Sequence, residues 1–105
     1  MPSFVPPRRL AMSQSSEITL RLAHDLHARP AGQLVQTVAR FDASVTVSFD
    51  ERVVDASGVL AVMGLGATAG SEVTLRAAGP EADAVLAAVM ARFEELGVVE
   101  AEPSR

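Results

Sequence analysis

The chain has no cysteine, no lysine, no tryptophan and no tyrosine. Without cysteine there is no disulfide and no thiolate for nucleophilic or metal chemistry, which fits a cytoplasmic protein. Without lysine, every side-chain cation is one of 9 arginines. Phenylalanine is the sole aromatic residue, at 4 positions, so few platforms exist on which bases could stack. A formal net charge of −4 also lacks the basic face that a phosphate backbone requires, which argues against nucleic-acid partners. No uncharged run reaches the ~20 residues needed to cross a bilayer as a helix, so no membrane insertion is expected.

A length of 105 residues, nearly half of them apolar, suits one domain with one core. Residues 1–15 carry Pro2, Pro6, Pro7, Arg8 and Arg9 with no apolar segment after the arginines. They read as a disordered leader, or as an upstream extension of a chain starting at Met12, and not as a secretory signal. Residues 16–98 form the expected domain, and residues 99–105 a loose tail.

Alternation of apolar and polar residues predicts strands over Glu17–Ala23, Ser44–Phe49, Arg52–Asp55 and Glu72–Ala77. Asp50-Glu51 makes a tight connection between the second and third. Helical spacing of Ala31, Leu34, Val35 and Val38 predicts a helix over Ala28–Arg40. A short helix is expected over Gly58–Leu65. The last, over Pro80–Leu96, has an apolar stripe of Ala82, Val85, Leu86, Val89, Phe93 and Leu96, and Gly97 stops it. The order β-α-β-β-α-β-α implies an α+β open-faced sandwich, with a four-stranded antiparallel sheet carrying three helices on one face.

His27 stands at the first helix's start, in Asp25-Leu26-His27-Ala28-Arg29-Pro30. Proline suits the first helical turn, where its missing N–H costs nothing. A histidine there lies beside free backbone amides and the positive end of the helix dipole, with Arg29 within one turn. A ring nitrogen able to attack, with amides and a guanidinium aimed at the same point, suits a phosphoryl acceptor. The commoner role of a lone histidine at such a place is a cap or a surface side chain.

Leu26-His27-Ala28-Arg29-Pro30-Ala31 resembles the active-site motif of HPr, the histidine-containing phosphocarrier family of the bacterial phosphotransferase system. Gly64-Leu65-Gly66 through Gly70-Ser71-Glu72-Val73-Thr74-Leu75 resembles the family's second landmark, and Glu17 to Leu96 follows its order of elements. The resemblance implies the same open-faced sandwich. It also implies that His27 takes a phosphoryl group on Nδ1 from phosphorylated enzyme I and passes it to enzyme IIA of a sugar-transport system. Arg29 and the backbone amides of Ala28 and Arg29 would hold the phosphoryl oxygens, and Pro30 would fix the turn. The protein would be a monomeric, cytoplasmic phosphotransfer intermediate without turnover of its own on a small molecule, and it would need no cofactor.

His24 and Asp25 border this site. His24, Asp25 and His27 crowd three ligand types into four residues with no distant partner, which is weak grounds for a metal, and none is expected. Asp25 departs from the family, which usually carries glycine there. Its carboxylate would either oppose the charge of a phosphohistidine or cap the helix N-terminus. By resemblance, Val59, Leu60 and Met63 on the short helix, with Gly32 and Gln36 on the first, would form the docking surface. Val59, Val62 or Leu65 can face the core, while Leu60 and Met63 are expected not to. Gly58 occupies the place where some relatives carry a regulatory serine. Ser57, one residue earlier, reads most simply as an N-cap, with kinase regulation as the sharper alternative. The family's docking lysines are absent, and Arg40 and Arg52 are expected to substitute in part. A second functional reading is a regulatory docking module of a nitrogen-type or incomplete phosphotransferase system, acting through protein contacts alone.

Overall fold

The computed structural model describes residues 15–100. The leader through residue 14 and the tail from residue 101 lie outside the described residues. Four strands, β1 (Ser15–Arg21), β2 (Ser44–Phe49), β3 (Arg52–Asp55) and β4 (Glu72–Ala78), combine with three helices in the order β-α-β-β-α-β-α. The helices are α1 (Ala28–Val38), α2 (Val59–Met63) and α3 (Ala82–Leu96). The sheet is antiparallel throughout, in the order β1-β4-β2-β3.

Strand period decides which residues go inside. Leu20, Val45, Val47, Val73, Leu75 and Ala77 point to one face and are buried against Ala31, Leu34, Val62, Val85, Val89 and Phe93 of the helices. The other face is polar: Arg21 pairs with Glu72, Arg76 with Glu17, and the Thr19 and Thr74 hydroxyls meet at 3.1 Å. The expected open-faced sandwich is therefore the one observed. Among the described residues, no helix is long and apolar enough to cross a membrane.

The element ends differ from the sequence reading for local reasons. α1 stops at Val38 because Arg40 and Phe41 donate to Thr37 and Val38, three residues back, tightening the last turn. α2 is shorter than Gly58–Leu65 because Leu65 and Gly66 bond back to Val62 and Met63 in the same manner, and Gly66 takes φ +72°. α3 begins at Ala82 and not Pro80, since Glu81 is its N-cap and its Oε1 accepts the Asp42 amide at 2.7 Å.

Ser15, placed in the leader by its sequence, opens β1. Val99 and Glu100, placed in the tail, belong to the fold. Gly97 takes φ +71°, and Val98 bonds back to the Phe93 carbonyl at 2.9 Å, so the chain reverses after α3. The Ala23 amide then meets Val98, Val99 bridges to Leu22, and the Glu100 amide reaches the Arg21 carbonyl at 3.0 Å. This latch lays the end of α3 beside the loop that leads into α1.

Candidate functional site

His27 is the N-cap of α1. Its backbone is extended, at φ −104° and ψ −157°, and its side chain makes no capping bond. Its carbonyl accepts the first helical hydrogen bond, from Ala31 at 2.9 Å. Among the described residues the Ala28 and Arg29 amides donate to no backbone carbonyl, and Pro30 has no N–H to offer. Two donors thus sit at the positive end of an 11-residue helix whose first turn carries no acid. Pro30 and Leu26 are buried on either side, which anchors the turn and leaves the imidazole exposed.

Arg29 is exposed and takes part in no ion pair among the described residues. Its guanidinium is available to an anion at the helix end. His24, Asp25, His27, Arg29 and Pro30 line one side of an open cleft of 450 Å³. Glu95, Leu96 and Val98 line the other. Glu95 is held by Arg92 at 3.0 Å, and Arg92 also donates to Gln33 of α1 at 2.8 Å, tying α3 to α1 beside the cleft. This far wall has no signal in the sequence except Gly97, whose stop implies a reversal there without saying what the returning chain meets.

His24 and Asp25 line the cleft, but Asp25 does not cap α1. Its Oδ1 accepts the Ala69 amide at 2.9 Å, so the carboxylate is turned toward the loop after α2. Among the described residues, no three histidine or acidic side chains converge as metal ligands.

The α1 and α2 helices pack side by side. Leu60 is 81% exposed, more than any other large hydrophobic side chain among the described residues. Val62 and Leu65 are in the core. Val59 is half-buried against it, and so is Met63, which the sequence placed outside. Gly32 is half-buried and Gln36 exposed on the neighbouring helix. Ser57 is not a cap: Gly58 holds that position, and the Ser57 amide donates to Asp55 at 2.8 Å. Ser57 itself is exposed. Arg40 is exposed and makes no ion pair among the described residues. Arg52 is exposed, and its guanidinium donates to the Leu65 carbonyl at 2.8 Å and the Gly64 carbonyl at 3.4 Å.

Comparison with known proteins places these features in a lineage. The model of the family described as PTS HPr component phosphorylation site matches residues 14–95. The chain is 36% identical over 85 residues to phosphocarrier protein NPr of Escherichia coli (strain K12), covering 80% of this chain and 92% of that protein. It is 38% identical over 69 residues to phosphocarrier protein HPr of Treponema pallidum (strain Nichols), covering 66% and 78%. Among solved structures, the histidine-containing phosphocarrier protein of Mycoplasma superposes with a TM-score of 0.78 at 23% identity, over 82% of this chain and 100% of that one. That last likeness speaks for the fold.

Proposed function

The chain belongs to the HPr family of phosphocarriers, and on that premise we propose that His27 is its phosphoryl acceptor. The observation that carries the reading is the meeting, at one turn, of an exposed imidazole with two helix-end amides and an arginine that are unpaired among the described residues. The attacking Nδ1 forms a bond to phosphorus as the bond to the phosphorylated enzyme I donor breaks. The Ala28 and Arg29 amides and the Arg29 guanidinium then hold the phosphoryl oxygens, worth ~1.5–3 kcal/mol for each charged hydrogen bond. Return of the group to an enzyme IIA acceptor is the same displacement with donor and acceptor exchanged.

Leu60, with Val59, Met63, Gly32 and Gln36 around it, is the docking surface in this reading, since exposed aliphatic area next to the reactive group is what two partners must share in turn. The likeness to NPr supports a nitrogen-type branch as the system served, and a sugar enzyme IIA is the other acceptor. Such a role belongs in the cytoplasm.

Incubation with phosphoenolpyruvate and enzyme I of the same organism tests the reading by intact mass. One acid-labile, alkali-stable phosphate, lost in His27→Ala, is expected. No adduct on the wild-type protein would turn the assignment toward a docking module that works without phosphate. Chasing the labelled protein with sugar-type and nitrogen-type enzyme IIA then identifies the acceptor.

A further inference from the structure

We propose that Asp25 is a positioning residue that sets the His27 turn against the loop following α2. This rests on His27 being the phosphoryl acceptor. Three backbone bonds join the segment before His27 to that loop: Leu22 to Ser71 at 2.8 Å, Gly70 to Leu22 at 2.8 Å and Leu26 to Ala67 at 2.9 Å. They secure the two ends of the segment and leave its middle unsupported on that side. The Asp25 carboxylate spans the gap, accepting the Ala69 amide through Oδ1 at 2.9 Å.

The loop is a firm anchor. Ser71 bonds back to the Thr68 carbonyl at 2.9 Å, and Gly66 and Gly70 take φ +72° and +88° at its two ends. His27 by contrast has no side-chain cap bond to hold its ring. The place of the imidazole relative to the helix-end amides is therefore set by the backbone of residues 25–27, and Asp25 is the only side chain of these three that ties this backbone to another loop among the described residues. An ionised carboxylate bonded to an amide N–H is among the shorter and stronger of such contacts. A displacement of ~1 Å at a reacting group can cost up to about a hundredfold in rate.

The rival role for Asp25 is purely electrostatic: a negative charge beside the phosphoryl group, opposing it. Asparagine separates the two, because its side-chain oxygen still accepts a hydrogen bond while the charge is gone. Transfer from phosphorylated enzyme I is measured over a range of carrier concentrations for wild type, Asp25→Ala and Asp25→Asn. Exchange of the Ala69 amide is followed by NMR in the unphosphorylated proteins.

Asp25→Ala is expected to lower the saturating transfer rate roughly tenfold with the half-saturating concentration unchanged, and to speed Ala69 exchange by about tenfold. Asp25→Asn is expected to stay within about twofold of wild type in both. An unchanged rate in Asp25→Ala overturns the proposal, as does an Asp25→Asn that falls as far as Asp25→Ala while Ala69 stays protected. Loss of the circular dichroism signal in Asp25→Ala also overturns it, since Asp25 is then needed for folding at large. Failure of the wild-type protein to accept phosphate is a separate result, and it counts against the role of His27, while Ala69 exchange still reports on the brace.

Discussion

The Arg52 guanidinium fastens the turn that follows α2, donating to the Leu65 carbonyl at 2.8 Å. α2 has only five residues and no side-chain cap at its start, so its intrinsic stability is slight. A cation on the carbonyls just past its end fixes the chain where the helix stops, on the side its dipole favours. Arg52→Ala should destabilise the protein by about 1 kcal/mol, read from a urea midpoint. An unaltered midpoint would mean that water replaces the guanidinium at no loss.

The site assignment makes a second expectation simple. His27→Ala should remove all phosphorylation by enzyme I while leaving the melting temperature within a few degrees of wild type, because the imidazole is exposed and caps nothing. Equal phosphate uptake by the variant would place the acceptor elsewhere.

Arg29→Ala should slow transfer by on the order of tenfold while leaving modification detectable, since the helix-end amides remain. Stopped-flow transfer from phosphorylated enzyme I measures this. A rate equal to wild type would remove Arg29 from phosphoryl binding.

Leu60 is nearly all in solvent. Leu60→Glu should leave the unfolding midpoint within about 0.5 kcal/mol and weaken binding to enzyme I by ten- to a hundredfold, on the order of a lost apolar anchor. Titration calorimetry reads the second quantity, and a large loss of stability with intact binding would assign Leu60 to packing.

The β2–β3 turn offers a stability test remote from the site. Asp50 and Glu51 both have positive φ, +52° and +72°, as a type I′ turn demands. For a glutamate that conformation costs ~1 kcal/mol or more. Glu51→Gly should therefore stabilise the protein by about 1 kcal/mol in thermal melts, and a lower melting temperature would show that the glutamate contributes something its backbone strain conceals.

Periodicity made the sheet, the helices and their buried faces legible: β2 and β3 have the bounds that alternation implies, and the Ala82 to Phe93 stripe is buried. Helix ends were less legible because they depend on partners distant in sequence, such as Asp42 for Glu81. The near half of the site, His24 to Pro30, could be read because it is one continuous segment. Its far half could not. Nothing local tells Glu95 that it faces His27, and an exposed Asp25 has many possible acceptor roles until Ala69 is placed beside it. Met63 was misread because its helix is too short to show a full stripe, and the carbonyl pair that Arg52 meets is presented only by the folded chain.

The latch of Val98 and Val99 onto Ala23 and Leu22 has a consequence for the order in which the protein comes into being. During synthesis His27 and Arg29 leave the ribosome long before residues 95–98, because domains are made from the amino end. A nascent or truncated chain ending at Met90 holds His27 but lacks both the opposite wall of the cleft and the fastening beside it. The complete cleft is thus among the last features to be assembled, and partners that require it meet a finished domain.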